Sequence, residues 1–193
     1  MVLLSIKAFV PRIPTGGGPS VELLSCTGFY TKLIETVEHV RETNRDPLSK
    51  LLKMNESVNL EFKLSMWTKY ITVNKIATNE FVKEIGKSDF LQDEILHTVA
   101  AFLNTEGGTL LIGVKDKPPS WGDRPAEVYG VEPDYRYLQK NNRDADGYVQ
   151  AVYQVLNTGF GNTSTTSSYV KVRIEKYEEN EICRIDVKKL PRV

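Results

Sequence analysis

One stretch constrains this chain more than any other: Asn104-Thr105-Glu106-Gly107-Gly108-Thr109-Leu110-Leu111-Ile112-Gly113-Val114-Lys115-Asp116. Before it, Leu91, Ile95, Val99, Phe102 and Leu103 recur at helical spacing, so a helix opened by Ser88 or Asp89 runs in and stops at the glycine pair. From Leu110 to Val114 there is no polar alternation, and so short an apolar run between turn signals predicts a strand covered on both faces. A helix that passes directly into such a strand predicts layers of helix on sheet. Asp116 falls just past the strand's end, where a scaffold can hold a side chain while the backbone turns to solvent. A turn aspartate before Lys117-Pro118-Pro119 accounts for it equally well.

The segment Asn55-Glu56-Ser57-Val58-Asn59-Leu60-Glu61-Phe62-Lys63 is the second informative one. Val58, Leu60 and Phe62 alternate with Asn59, Glu61 and Lys63, which predicts a strand with one face on a core and Glu61 and Lys63 pointing together from the other. Continued straight back, the strand would give Glu56 the parity of the apolar face. Glu56 can therefore join Glu61 only if the chain turns or bulges near Ser57. Glu56, Glu61 and Asp116 form a set of hard oxygen donors suited to Mg²⁺ or Mn²⁺, ions that polarise a phosphodiester and activate water. Lys63 could offset negative charge as a phosphate reacts. An exposed glutamate-lysine pair on an open strand is the plainer alternative, worth under about 1 kcal/mol.

Charge and cysteine content narrow the setting. Lys+Arg 25 and Asp+Glu 25 cancel, so a nucleic acid would have to bind through a local patch rather than the whole-protein field. Trp67, Lys69, Tyr70 and Lys75 interleave aromatic and basic groups as such a patch would, though the rim of a hairpin or loop would look the same. Cys26 and Cys183 lie far apart and neither belongs to a Cys-x-x-Cys pair, which predicts a reducing compartment and no thiolate zinc site. With no apolar run long enough for a membrane span or a secretory signal, the expectation is a soluble cytoplasmic protein.

Around these segments the expected fold is α+β (mixed α/β), a single sheet of mainly antiparallel strands packed with several helices. Residues 1–54 are expected to be an extension: a strand over 2–10, a Gly/Pro connector ending at Pro19, an amphipathic helix from Gly28 to Arg41, and a short helix begun by Asp46-Pro47. Asp134 to Lys140 predicts a short helix, and Asp144 or Asp146 caps a longer one with Val149, Val152, Tyr153 and Leu156 on one face. Residues 159–168 are rich enough in glycine, serine and threonine to predict a mobile loop. Tyr169–Tyr177 and Glu181–Lys188 predict a hairpin.

Three pieces of this pattern together, Glu56-Ser57-x-x-x-Glu61-Phe62-Lys63, Ala100-Ala101-Phe102-Leu103-Asn104-Thr105 and Glu106-Gly107-Gly108-Thr109-Leu110-Leu111-Ile112-Gly113-Val114-Lys115-Asp116, resemble the AlbA-like DNA-binding domain found also in Schlafen proteins. Asn142-Arg143-Asp144 and Ile182-Cys183-Arg184-Ile185-Asp186-Val187 resemble its bacterial branch. The resemblance covers about residues 55–193 and would make that span one domain, read as the N-terminal module of a longer protein. In the Schlafen branch, two glutamates and an aspartate at these motif positions form the active site of an endoribonuclease that cuts tRNA and rRNA with a divalent metal. The resemblance carries that role onto Glu56, Glu61 and Asp116. It implies RNA ahead of DNA as partner, in settings such as stress or phage defence, with a homodimer or a C-terminal effector domain completing the groove. Bacterial members are also described as DNA- or ATP-binding modules of regulators. ATP is disfavoured here, because Gly108-x-x-x-x-Gly113 lacks the Lys-Ser/Thr ending of a phosphate loop and lies within an apolar strand.

Overall fold

The computed structural model describes residues 47–74, 80–118, 120, 122–161 and 163–191. The strand, connector and amphipathic helix expected before residue 46 therefore lie outside the described residues, as do Lys75 and Trp121.

The architecture is α+β. In chain order the elements are α1 (Leu48–Leu51), β1 (Leu60–Lys63), β2 (Thr68–Asn74), β3 (Glu80–Lys87), α2 (Phe90–Asn104), β4 (Gly108–Ile112), β5 (Val114–Lys115), β6 (Glu127–Val128), a 3-10 helix (Glu132–Tyr137), α3 (Ala145–Phe160), α4 (Thr163–Tyr169), β7 (Val170–Tyr177) and β8 (Asn180–Val187). The main sheet has the order β1-β4-β8-β7, with β2 and β3 forming a separate ribbon and β5 and β6 another. Within the sheet β1 runs parallel to β4, with Phe62 beside Leu111, and the other neighbours are antiparallel.

Strand β4 is covered on both faces, as its unbroken apolar run predicts. Leu110 and Ile112 face a core built from Ile95, Val99, Phe102 and Leu103 of α2 with Tyr148, Val152 and Leu156 of α3. Leu111 faces the opposite core, which Leu48, Leu51 and Leu52 share with Leu60, Phe62, Val114 and Ile182. The apolar run does not continue as one strand to Val114. Gly113, at φ +98, breaks it and sends the chain out of the main sheet into the β5–β6 ribbon.

Helix α3 begins as expected, with the Asp144 carboxylate accepting the Gly147 N–H at 2.8 Å. Residues 159–168 correct the loop expectation. Gly161 caps α3 in the left-handed conformation and the chain at once resumes as α4, where Thr166 is buried and Tyr169 packs on the main core. Low intrinsic helix propensity yields here to tertiary packing.

Candidate active site

The reversal that Glu56 required is present. Ser57 N–H donates to Leu60 O at 2.8 Å and Leu60 N–H returns a bond to Ser57 O at 3.3 Å, so Val58 and Asn59 form the turn of a minute hairpin. Ser57 Oγ and Asn59 Oδ1 lie 2.7 Å apart, a side-chain contact that closes the turn. Folded back in this way, Glu56 lies alongside β1 and its Oε1 accepts the Phe62 N–H at 2.8 Å. Glu61 and Lys63 leave the strand on one face, as their parity predicts, with Lys63 Nζ 2.9 Å from Glu61 Oε1. Glu94 approaches the same ammonium from α2, at 3.9 Å.

Asp116 follows β5, after the turn at Gly113. Gly113 N–H donates to Lys63 O at 2.8 Å and Gly113 O accepts from Tyr129 and Gly130, which fixes the point where the chain departs. Lys115 pairs with Glu127 across the β5–β6 ribbon at 3.3 Å. Behind Asp116 the Lys117 side chain is buried, and its ammonium donates to the carbonyls of Lys53, Gly122 and Arg124. Asp116 itself is exposed. It lines an open cleft of about 630 Å³ together with Lys63, Thr68, Lys69, Tyr70 and Glu94.

Glu56 feels the charge of the other two acids. Burial, and then the negative charges of Glu61 and Asp116, push the Glu56 carboxyl above the ordinary glutamate range against the opposing Phe62 N–H bond. Lys63 is pulled down by burial, but the hydrogen bond and charge of Glu61, with the charges of Glu94 and Glu56, outweigh this and hold it up. Among the described residues, no three His, Cys, Asp or Glu side chains stand grouped to hold a metal ion as they are placed. The donor chemistry of Glu56, Glu61 and Asp116 suits a hard divalent ion; Glu56 accepts from the Phe62 amide and Glu61 from the Lys63 ammonium.

A stability consequence follows from Glu56. Its raised folded pKa means that the fold holds a proton there more readily than the unfolded chain, and the stability this confers is complete below the unfolded pKa and fades as pH rises through the folded one. Glutamine mimics the protonated group and keeps an acceptor for Phe62. Glu56→Gln is therefore expected to raise the melting temperature at pH 7, on the order of 1 °C, with the gain vanishing below the ordinary carboxylate range. A loss of stability at pH 7 in calorimetric scans across pH would contradict this.

The aromatic-basic patch divides. Trp67 is a core residue rather than a stacking platform: its ring is buried against Tyr148, edge to face at 5.9 Å. Lys69 is exposed beside the cleft. Tyr70 is half-buried with its ring 6.1 Å from Tyr129, and burial followed by the charges of Asp134 and Glu84 pushes its hydroxyl up to about 12. The β2–β3 ribbon that carries Lys69 and Tyr70 realises the hairpin alternative. Three residues of the site's framework escaped the sequence: Glu94, whose position on the polar side of a helix says nothing of Lys63, Lys117, which reads as a turn lysine, and Asp134, which reads as a helix-opening residue. Asp134 is fully buried and accepts from Met66 N at 2.7 Å, Thr68 N at 2.7 Å, Thr68 Oγ1 at 2.6 Å and Tyr148 Oη at 3.1 Å. Those bonds hold the corner between β1 and β2 that forms the cleft wall.

A family comparison decides what this arrangement belongs to: the Schlafen, AlbA_2 family matches residues 56–193, from the first glutamate of the site to the chain's last residue. The chain belongs to the Schlafen AlbA_2 family. Domains of this family often bind nucleic acid. A comparison with the curated proteins returns no match. Among solved structures the domain is similar to the N-terminal domain of a RecG-related protein from Nitrosomonas europaea, at 16% identity and TM-score 0.41, covering 75% of this chain and 74% of that one. It is also similar to the DIP2311 protein from Corynebacterium diphtheriae, at 17% identity and TM-score 0.40, covering 86% of this chain and 23% of that one.

Proposed function

We propose that this Schlafen AlbA_2 domain binds RNA along the cleft beside Asp116 and cuts it there as a divalent-metal-dependent endoribonuclease, with tRNA or another structured RNA as substrate. The observation that carries this reading is the turn at Val58-Asn59, which returns Glu56 to Glu61 and into charge coupling with Asp116. Asp116 lines the open cleft, and its charge and that of Glu61 act on Glu56, whose carboxyl is raised; a carboxylate perturbed by burial and by like charges beside a cleft is a candidate functional group. Glu56, Glu61 and Asp116 would hold Mg²⁺ or Mn²⁺, which when bound supplies polarisation of the phosphodiester and an activated water. Lys63 would offset negative charge on the reacting phosphate, and Lys69 would contact a flanking one.

The Lys63–Glu61 ion pair favours a second reading, a non-catalytic nucleic-acid-binding module of a multidomain regulator or defence protein, because it leaves Glu61 neutralised by the chain itself. Incubation with total tRNA and Mn²⁺ or Mg²⁺ separates the two. On the first reading the wild type produces discrete fragments and Glu61→Ala slows their appearance by about 10²-fold. Equal cleavage by both proteins would remove the acids from the chemistry. Salt-dependent binding with no cleavage by either would leave the binding module.

A further inference from the structure

Lys63 is a cation set among the acids of this cluster. Its ammonium is 2.9 Å from Glu61 Oε1 and 3.9 Å from Glu94 Oε2, and Glu56 adds its charge from the reversed segment ahead of β1. Anions thus surround it from its own strand, from α2 and from the turn before β1. The pair is partly shielded, with side-chain exposures of 26% and 28% for Lys63 and Glu61, so the attraction is not dissolved by solvent as on an open surface. Glu56 is meanwhile engaged by the Phe62 amide. Both glutamates of the motif are therefore engaged by the chain itself.

We propose that Lys63 is the resident counter-cation of the acid cluster and competes with the divalent ion for Glu61, so that the site takes up metal only as the ammonium moves off. The proposal rests on the metal-site reading given above and adds its regulation. A divalent ion on Glu61 and an ammonium on the same carboxylate repel one another across a few Å, in a place where water screens them incompletely. Lysine is suited to yield, because its charge is a point on a flexible four-carbon stem that can be carried elsewhere without breaking a planar fork. Glu94 offers one place for it to go, and the phosphate of an incoming strand offers another. A phosphate that draws Lys63 away frees Glu61, so nucleic acid and metal would each favour the other's binding.

The test is Mn²⁺ binding by the intact chain without RNA, read as free Mn²⁺ by electron paramagnetic resonance and checked by calorimetry. Lys63→Met, with Lys63→Gln as a second variant should the first fold poorly, is expected to bind Mn²⁺ at least about tenfold more tightly than the wild type. Lys115→Met makes the same charge change beside Asp116 without touching Glu61, and is expected to stay within about threefold of the wild type, a smaller change than direct loss of a ligand's partner brings. Unchanged or weaker affinity in both Lys63 variants overturns the proposal, as does an equal gain in Lys115→Met, which would reduce the effect to bulk charge. Metal-dependent cleavage by the wild type alongside unchanged Lys63 variants would overturn the competition and leave the nuclease reading intact. Failure of every variant to bind Mn²⁺ would remove both.

Discussion

Asp134→Ala is expected to cost about 4–5 kcal/mol of folding stability, a large share of the 5–15 kcal/mol of an ordinary domain. The carboxylate is fully buried and, among the described residues, has no ion-pair partner. Its charge is met instead by the Met66 and Thr68 N–H groups, the Thr68 and Tyr148 hydroxyls and a longer contact from Trp67 N at 3.3 Å. Removing it strands several buried donors at once, and each unsatisfied group costs roughly 1–3 kcal/mol before any relaxation or water entry. Asn is expected to do little better, at about 2–4 kcal/mol, because its amide would present donors to donors. Urea unfolding should show the midpoint falling with the slope unchanged. A loss of under about 1 kcal/mol for Asp134→Ala would mean that this carboxylate is not what holds the corner between β1 and β2.

That corner marks the limit of what the sequence discloses. Apolar continuity made β4 legible, since only burial on both faces tolerates three successive residues without a polar one, and Leu110, Leu111 and Ile112 divide between the two cores. Parity likewise placed Glu61 and Lys63 on one side. The parity of Glu56 posed a condition rather than an answer, and a two-residue turn with no glycine or proline in it met that condition. Asp134 could not be read, because three of its partners are backbone N–H groups 66 to 68 residues away, which carry no sequence identity. Trp67 near Lys69 looked like a binding pair for the complementary reason: composition does not tell that Trp67 lies in the corner before β2, where its ring turns into the core, while Lys69 stands on the strand.

The same blindness applies to β8. Ile182 to Val187 reads as an alternating strand with its polar residues at the surface, yet Arg184 is only 4% exposed, and it pairs with Asp186 at 3.0 Å while Arg173 on β7 reaches Asp186 at 2.6 Å. Burial works to raise Asp186, and the two arginines with the Thr109 hydroxyl overcome it and hold the carboxyl below its ordinary range. A polar ladder thus crosses β4, β8 and β7 on the face where β1 and α1 supply apolar cover, and its contribution is present above the ordinary aspartate range and lost only as pH falls through the depressed pKa.

Gly113→Ala carries the second large effect, and it links stability to the site. At φ +98 an L-residue is strained by about 1–3 kcal/mol. An added Cβ would also lie 2.9 Å from the Gly130 carbonyl carbon and 3.1 Å from its Cα, and these are backbone atoms that no rotamer change can move. Relief requires the β4–β5 junction to shift against the 128–130 segment, at the expense of the bonds from Tyr129 and Gly130 to Gly113 O. The expected loss is about 3–4 kcal/mol in urea unfolding. Gly122→Ala is the control, for Gly122 also has positive φ, at +55, but nothing within 4 Å of a Cβ, so its cost should stay near 1 kcal/mol. Because Asp116 lies three residues beyond Gly113, the proposed nuclease reading further expects Gly113→Ala to depress RNA cleavage by more than about tenfold in protein that is still folded, as misplacement of a reacting group by about 1 Å can cost 10²-fold. Gly122→Ala should not. Equal stability losses in the two variants would refute the steric account, and full cleavage by folded Gly113→Ala would detach the position of Asp116 from the turn that now sets it.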